Sequence, residues 1–230
     1  MTRLLPWGED LWLAEGPVVR FFGFRYPTRM AVIRLSDGGL FLWSPIALEP
    51  ALKTEIDALG KVAHLVSPNK LHHLYLQQWK DAYPSAQLHA PPGLAKKRPD
   101  IRFDAPLEND APPAWAQEID QTGFGGSPMM TEIVFFHRKS RTALFGDLIE
   151  HFPRAWFKGW RGWIARLDGI VEPDFGAPRE WRMTFLDRGG AQKALAHILA
   201  WQPHQVVIAH GDCAPTDGEA FIRRAFRWLA

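Results

Sequence analysis

The chain has 230 residues, a net charge of +2 and a hydrophobic fraction of 47%, enough to fold around a sizeable core. The near balance of charge, with both signs spread along the chain, gives no reason to expect a nucleic-acid partner. The one cysteine, Cys213, cannot form an internal disulfide and fits a reducing compartment. No segment approaches the roughly 20 apolar residues of a membrane span. We therefore expect a globular, cytoplasmic protein without a membrane span.

The beginning of the chain predicts short strands separated by turns. Four runs are rich in apolar, β-branched and aromatic residues: 11–13, 18–24, 30–35 and 40–43. The turn sequence Asp37-Gly38-Gly39 predicts that the last two runs form a hairpin.

From residue 50 onward, strands are predicted to alternate with helices. The spacing of apolar residues predicts a helix over 50–59, a strand over 62–66, a helix from about 70 to 82 and a strand over 87–90. Residues 94–117 are interrupted by prolines and are predicted to form loops with short strands.

The second half repeats this order. We predict strands over 132–137 and 142–145 around a tight turn, a helix over 189–201, a strand over 206–208 and a closing helix over 217–229. Each half thus runs from strands to a strand–helix unit. This order favours a layered α/β sandwich over a parallel βαβ array.

A tryptophan-rich segment, about residues 151–188, lies between the two parts of the second half. Tryptophans at 156, 160 and 163 alternate with basic residues at 154, 158, 161 and 166. The pattern fits a loop that packs its indoles over the sandwich, a lid, a homodimer surface or a flap that touches a membrane. Basic aromatic segments also suit single-stranded nucleic acid. Among the functional alternatives we favour a lid, because the segment directly follows the strand that ends at Asp147.

Three predicted strands run into residues that can bind a metal. The strand over 62–66 leads to His72 and His73, the strand over 142–145 leads to Asp147, and the strand over 206–208 leads to His210. Sites in layered α/β proteins collect beyond the carboxyl ends of strands, so we expect these side chains to meet. Neutral imidazoles with one carboxylate suit zinc, iron or manganese.

The order and spacing of these segments resemble the metallo-β-lactamase superfamily, and the chain is similar to its branch called domain of unknown function 4336. The family pattern is a strand followed by His-x-His-x-Asp-His, a later histidine, Gly-Asp after a strand and His-Gly after another. The resemblance implies a four-layer αββα sandwich of the metallo-β-lactamase type. It also implies that residues 1–230 form a single domain, with the tryptophan-rich segment at about 151–188 as an insertion.

The chain departs from this pattern at the positions of one metal. Pro68 and Lys70 stand where the pattern has its first two histidines, and Pro128 stands near its middle histidine. In two-metal members those three histidines hold the first metal. A Lys70 ammonium could replace that cation and offset the charge of Asp147.

Every position for the second metal still offers a ligand. His72 and His73 stand at the aspartate and last histidine of the pattern, Asp147 at the bridging aspartate, and His210 at the closing histidine. The resemblance therefore implies at most one divalent metal, zinc or iron or manganese, bound by His72, His73, Asp147 and His210. Metal–ligand distances should be about 2.0–2.2 Å.

Glu132 is added to the candidate site from hairpin geometry alone. Counting back from the turn at 138–141 places it opposite about Gly146, beside Asp147. It is thus a candidate to orient Asp147, to act as a general base or to bind the metal. His137 falls at the far end of the hairpin, away from the site.

Two functional hypotheses follow. The first is a metal-dependent hydrolase of an unidentified small molecule, in which Asp147, Glu132 and Lys70 take part in catalysis and Lys70 stabilises an oxyanion. The superfamily acts on esters, thioesters, lactams and phosphodiesters, so the resemblance does not select a substrate. The alternative is a non-catalytic small-molecule or protein-binding member of the same fold, without metal. On that alternative, the pocket holds a small molecule or a partner. A plainer interpretation of the single residues is that His72 and His73 are exposed, that Asp147 caps a turn and that His210 is a loop histidine. A redox site would need two metals and a flavin partner, which the sequence does not support.

Overall fold

The computed structural model describes residues 3–230, which build two mixed β-sheets packed face to face. The first sheet contains, in spatial order, β1 (Leu5–Gly8), β2 (Leu11–Glu15), β5 (Arg29–Arg34), β6 (Gly39–Trp43), β7 (Lys61–Val66), β8 (Gln87–Ala90) and β9 (Ala105–Pro106). The second contains β10 (Ile119–Phe124), β11 (Glu132–His137), β12 (Thr142–His151) and β13 (Gln205–Gly211). A separate hairpin joins β3 (Val19–Phe21) to β4 (Phe24–Tyr26).

Helices cover the outer faces of both sheets. On the first sheet lie α1 (Pro50–Leu59), α2 (Leu76–Ala82) and α3 (Leu94–Lys97), and on the second lie α6 (Arg188–Ala200) and α7 (Gly218–Ala225). Two further helices, α4 (Trp160–Asp168) and α5 (Arg179–Arg182), belong to the tryptophan-rich segment. Within residues 3–230, no helix combines the length and apolar character needed to cross a membrane.

The main core lies between the two sheets. Phe41 and Trp43 of the first sheet pack in one cluster with Phe135, Leu144 and Val207 of the second, and all five are fully buried. Separate clusters lie between each sheet and its helices. The predicted α/β, four-layer αββα arrangement is confirmed.

Strand direction brings the predicted site together. β12 and β13 are parallel neighbours, so both strands end at the same edge of their sheet. The register between them shifts between Phe145 and Glu150, and Asp147 lies inside this bulge. Bulges redirect side chains next to functional sites. Beyond the bulge, β12 pairs with β13 again and continues to His151, whereas the sequence predicts that the strand ends at residue 145.

Helix α2 starts at Leu76, later than the predicted start at about residue 70. The preceding residues form turns held by their own side chains. The Ser67 hydroxyl donates to the carbonyls of Asn69 and His72, and the Asn69 side-chain oxygen accepts from the Leu71 amide. Such local bonds compete with helix formation. His72 and His73 consequently lie in a loop.

Residues 18–24, predicted as one strand, are divided by a turn at Phe22 and Gly23 into β3 and β4. The tryptophan-rich segment packs on this hairpin through a small cluster of buried apolar residues. The cluster consists of Phe152, Phe157, Ala165, Ile170 and Val171, against which Phe24, Tyr26 and Trp156 pack.

Candidate metal centre

Three of the predicted ligands converge at one edge of the sandwich. The ligand atoms of His72, Asp147 and His210 all lie within 4.8 Å of one another. The Nε2 atom of His72 is 3.3 Å from Asp147 Oδ2, and Nε2 of His210 is 3.1 Å from Asp147 Oδ1. All three side chains are largely buried. This geometry matches the expectation that the ends of β7, β12 and β13 supply one site.

Hydrogen bonds orient both imidazole rings with Nε2 toward the carboxylate. The Nδ1 of His210 lies 2.7 Å from the carbonyl oxygen of Pro27, and Nδ1 of His72 lies 2.8 Å from the Ser44 hydroxyl. A carbonyl can only accept, so Nδ1 of His210 carries a proton and donates it. In the neutral ring Nε2 then has a free lone pair. Fixing the far nitrogen in this way is typical of metal-binding histidines.

The unpaired atoms at the centre fit a cation. The Nε2 of His210 lies 3.1 Å from an oxygen of the Asp147 carboxylate. The Nε2 of His72 is buried and makes no hydrogen bond. Buried polar atoms without partners carry an energetic cost. Two imidazoles and one carboxylate that converge in this way are a suitable ligand set for zinc, iron or manganese.

Asn69 and Glu132 hold Asp147 in place. The Asn69 amide donates to Asp147 Oδ2 and to Glu132 Oε2, each at 2.8 Å. Glu132 also accepts from the backbone N–H groups of Gly146, at 2.8 Å, Asp147, at 2.7 Å, and Leu148, at 3.3 Å. The predicted position of Glu132 opposite Gly146 is therefore correct. Because Glu132 contacts Asp147 through backbone and amide groups, it is a positioning residue in this structure.

The two carboxyl groups have opposite pKa shifts. Burial, and then the charge of Asp147, raise the pKa of Glu132 to about 8, against the effect of its N–H donors. Burial also acts to raise the pKa of Asp147, but the adjacent His72 and His210 outweigh it and hold that pKa well below its usual range. Asp147 is therefore the ionised carboxylate at the centre.

His73 does not join the group. Its Nδ1 lies 2.9 Å from Nη1 of Arg98, which donates to it. Burial, followed by the nearby Lys97 and Arg98, lowers the pKa of His73 to about 4. Consecutive residues of a loop point in different directions, and this ring is directed to the guanidinium. Of the four predicted ligands, the structure therefore brings three together: His72, Asp147 and His210.

Lys70 lies beside the loop before α3. Its Cδ is 3.7 Å from the position that a Cβ on Gly93 would take, and its backbone carbonyl accepts from Lys97 Nζ at 3.1 Å. No ion pair links Lys70 to Asp147 within residues 3–230. The Asn69 amide, and not the predicted Lys70 ammonium, contacts the carboxylate. His137 lies at the far end of the hairpin as expected, with Nδ1 2.8 Å from Ser140 Oγ.

Sequence reasoning missed three supporting residues: Ser44, Asn69 and Pro27. Ser44 directly follows β6, which is parallel to β7, so the rule that sites lie beyond strand ends applies to it as well. Asn69 lies within the predicted motif segment but has no counterpart in the family pattern. Nothing in the sequence signals that Pro27 offers its carbonyl oxygen to His210.

The family model for DUF4336, a domain of unknown function, matches residues 11–159. The chain belongs to the DUF4336 family. The matched residues contain His72 and Asp147, whereas His210 lies beyond them. No curated protein matches the DUF4336 chain.

Several solved structures are similar to this DUF4336 protein over its whole length. They include the DIM-1 metallo-β-lactamase, at 14% identity and a TM-score of 0.66, with 100% of this chain and 98% of that chain covered. A metallo-β-lactamase from Pontibacter korlensis has 11% identity and a TM-score of 0.64, with 100% and 99% covered. The Flv1 flavodiiron core from Synechocystis sp. PCC6803 has 13% identity and a TM-score of 0.62, with 99% and 60% covered. At these identities the similarity establishes the metallo-β-lactamase-like fold.

Proposed function

We propose that this DUF4336 protein is a metal-dependent hydrolase with one divalent ion bound by His72, Asp147 and His210. The convergence of two oriented imidazoles on one ionised carboxylate carries the proposal. Three protein ligands leave a coordination position open for water or substrate, as in catalytic zinc sites. The residue types fit zinc, and iron or manganese equally. A bound ion of this kind supplies Lewis acidity and lowers the pKa of a bound water toward neutrality.

The residues around the centre keep the ligands in position. The Pro27 carbonyl and the Ser44 hydroxyl fix the orientation of the His210 and His72 rings. Asn69 and Glu132 fix the Asp147 carboxylate from the opposite side. A ligand set held in this way loses little conformational entropy when it binds a metal or a substrate.

The chemistry of the site favours a substrate with an anionic or oxyanion-forming group. Lys70 and Lys97 lie together beside the site loop, and the charge of Asp147 acts on Lys97. Neither ammonium forms an ion pair with a carboxylate in the described part of the chain. Lys70, one residue from Asn69, is thus the group proposed to stabilise an oxyanion, with Lys97 beside it.

Metal binding tests the ligand assignment directly. The purified protein is loaded separately with zinc, manganese and iron(II), and metal content and affinity are measured by mass spectrometry and calorimetry. We expect one equivalent of metal in the wild type and its loss in the His210→Ala variant. His73→Ala is the matched control, and it should retain the metal because its ring is directed to Arg98. Failure of the wild type to bind any of the three ions refutes the proposed centre.

Turnover is tested with a panel of chromogenic esters, thioesters, lactams and phosphodiesters. We expect hydrolysis of at least one class that depends on added metal and is abolished in Asp147→Asn. Lys70→Met should raise KM or lower kcat for the same substrate without removing the metal. Metal binding and small-molecule binding without turnover across the panel would support the alternative, a non-catalytic binding protein.

A further inference from the structure

An apolar surface of five large side chains is exposed beside the tryptophan-rich segment. We call it the aromatic face, and it consists of Phe21, Phe22, Trp160, Trp163 and Leu167. Phe22 is 87% exposed, Trp163 63% and Trp160 58%. Single exposed apolar residues are ordinary on protein surfaces, whereas a contiguous group marks a surface that contacts something else.

Helix α4 presents its large apolar residues outward. Trp160, Trp163 and Leu167 follow the i, i+3, i+7 spacing of one helix face and are exposed, whereas the small residues Gly162 and Ala165 are buried. A surface helix of a globular protein normally has the reverse arrangement, with large apolar residues inward. Tryptophan and leucine on the outer face, with arginines at 161 and 166, are typical of a helix that lies in a membrane interface.

The tip of the β3–β4 hairpin carries an exposed phenylalanine in a backbone conformation that disfavours it. Phe22 and Gly23 both have positive φ, 47° and 80°. Two-residue turns with positive φ at both positions prefer Asn-Gly, because the left-handed region disfavours bulky side chains. Phe22 is thus a nearly fully exposed aromatic ring in a conformation that is costly for it. Neither burial nor turn geometry explains a phenylalanine at this position.

The hairpin and α4 form one connected surface. The rings of Phe24 and Trp160 pack edge to face with centroids 6.0 Å apart. The Trp156 indole donates to the Arg25 carbonyl at 2.8 Å. The Arg161 guanidinium lies over the Trp160 ring, 4.4 Å from its centroid. The first two contacts hold the hairpin against the tryptophan-rich segment, and the Phe24–Trp160 contact places it next to α4.

The segments that carry the aromatic face are rich in positive charge, and Asp168 at the end of α4 is the nearest acidic residue in the sequence. Residues 18–26 and 154–167 contain six arginines and lysines and no aspartate or glutamate. These cations are Arg20, Arg25, Arg154, Lys158, Arg161 and Arg166. In the part of the chain that the structure describes, none of the six forms an ion pair with a carboxylate. Because the whole chain has a net charge of only +2, this concentration of positive charge is local.

We propose that the aromatic face docks on an anionic lipid bilayer. Its apolar side chains would enter the interface between headgroups and acyl chains, while the six cations would contact lipid phosphates. A second copy of the chain fits less well, because a twofold contact through this face would bring the cations of both copies together. Single-stranded nucleic acid also fits less well, because Arg161 covers the Trp160 ring on which a base would stack.

Docking would bring the metal centre to the membrane surface. Tyr26, the last residue of β4, has its ring 5.3 Å from that of His210, and the next residue, Pro27, accepts the hydrogen bond from His210. The proposed docking goes beyond the hydrolase function and does not depend on it.

Vesicle co-sedimentation of the wild-type protein tests the proposal. Vesicles of equal parts phosphatidylcholine and phosphatidylglycerol are compared with vesicles of phosphatidylcholine alone, at low and high salt. We expect binding to the anionic vesicles, at least tenfold weaker binding to the neutral ones, and a strong decrease with salt.

Three variants identify the surface. Phe22→Asn creates the favoured Asn-Gly turn, so we expect equal or higher thermal stability together with about tenfold weaker vesicle binding. Trp163→Gln keeps a good helix former and should weaken binding by a similar factor. Leu5→Thr is the matched control, since Leu5 is 56% exposed on the edge strand β1 and should not affect binding.

Several results would overturn the proposal. They are the absence of binding to anionic vesicles, or binding that both Phe22→Asn and Trp163→Gln leave unchanged. Sedimentation velocity that shows a dimer lost in these two variants, without vesicle binding, would assign the face to a second copy. Tighter binding to a single-stranded oligonucleotide than to anionic vesicles would assign it to nucleic acid.

Discussion

Replacing Asn69 by aspartate tests the hydrogen-bond bridge at the centre of the site. The Asn69 amide donates one hydrogen bond to Asp147 and one to Glu132, each at 2.8 Å, and the residue is fully buried. Asn69→Asp keeps the shape of the side chain but replaces the donor by a carboxylate oxygen. The change therefore places a third carboxyl group against two existing ones.

The expected loss of stability depends on whether the new carboxyl group at position 69 is ionised or protonated, and the less costly state determines it. An ionised carboxylate about 3 Å from the charge of Asp147 would cost roughly 5.5 kcal/mol at an effective dielectric constant of 20. Holding the new carboxyl protonated costs about 4 kcal/mol at pH 7 and about 1.5 kcal/mol at pH 5, at 1.36 kcal/mol per pH unit above 3.9. The protonated state therefore costs less free energy than the ionised state at both pH values. A protonated carboxyl still loses one of the two donated hydrogen bonds, about 1 kcal/mol.

We therefore expect Asn69→Asp to lower the free energy of unfolding by about 5 kcal/mol at pH 7 and by about half as much at pH 5. The sign follows because the folded-state pKa of the introduced group is raised, so its penalty disappears as pH falls toward its unfolded value. The assay is urea unfolding of variant and wild type at both pH values, with chelator present. Asn109→Asp, at the other asparagine of the chain, is the exposed control and should change stability by less than about 0.5 kcal/mol. Equal stability of Asn69→Asp and wild type at pH 7 would refute the bridge.

Two further predictions concern the packing and titration of the fold. Gly146→Ala would place a Cβ 2.8 Å from Glu132 Oε2. We therefore expect urea unfolding to show a free energy of unfolding about 1–3 kcal/mol lower than that of the wild type. The control, Gly189→Ala in the open first turn of α6, should leave the free energy of unfolding unchanged or raise it. Burial lowers the pKa of His137 to about 4 in the folded protein. Between about pH 6.5 and 4 the His137 side chain is protonated in the unfolded chain but not in the folded one, so the free energy of unfolding decreases as pH falls through this range. His137→Gln should remove up to about 3 kcal/mol of that decrease, and the exposed His204→Gln should remove none. Unchanged pH curves for His137→Gln would contradict the assignment.

The layered fold could be predicted because its core strands carry strong local signals. The helix over 50–59 and the strand over 132–137 coincide with α1 and β11. The buried residues of α1, Leu52 and Ile56, have helical spacing, and β11 is a continuous buried run that ends at a tight turn. β10, in contrast, was not predicted. Its sequence, Ile119–Phe124, mixes polar and apolar residues without a clear signal, and its position depends on pairing with β11 along its full length.

The site was predictable to the extent that it depends on strand order. Asp147 and His210 follow neighbouring parallel strands, so topology alone brings them together. The resemblance to the family pattern implies that His72 and His73 are both ligands, and the sequence predicts a helix from about residue 70. The bonds that Ser67 makes to Asn69 and His72 produce a loop instead, and the loop directs only His72 to the carboxylate. Side-chain direction in a loop depends on such individual bonds, which periodicity does not encode.

The loop after β7 stabilises Asp147 through an amide side chain. The Pro68 carbonyl accepts from the Ile133 amide at 2.8 Å, which fixes the loop to β11. Between these anchored residues, the Asn69 amide donates to Asp147 and Glu132. An amide satisfies carboxylate lone pairs but adds no positive charge. The negative charge of Asp147 therefore remains, and the carboxylate faces His72 and His210.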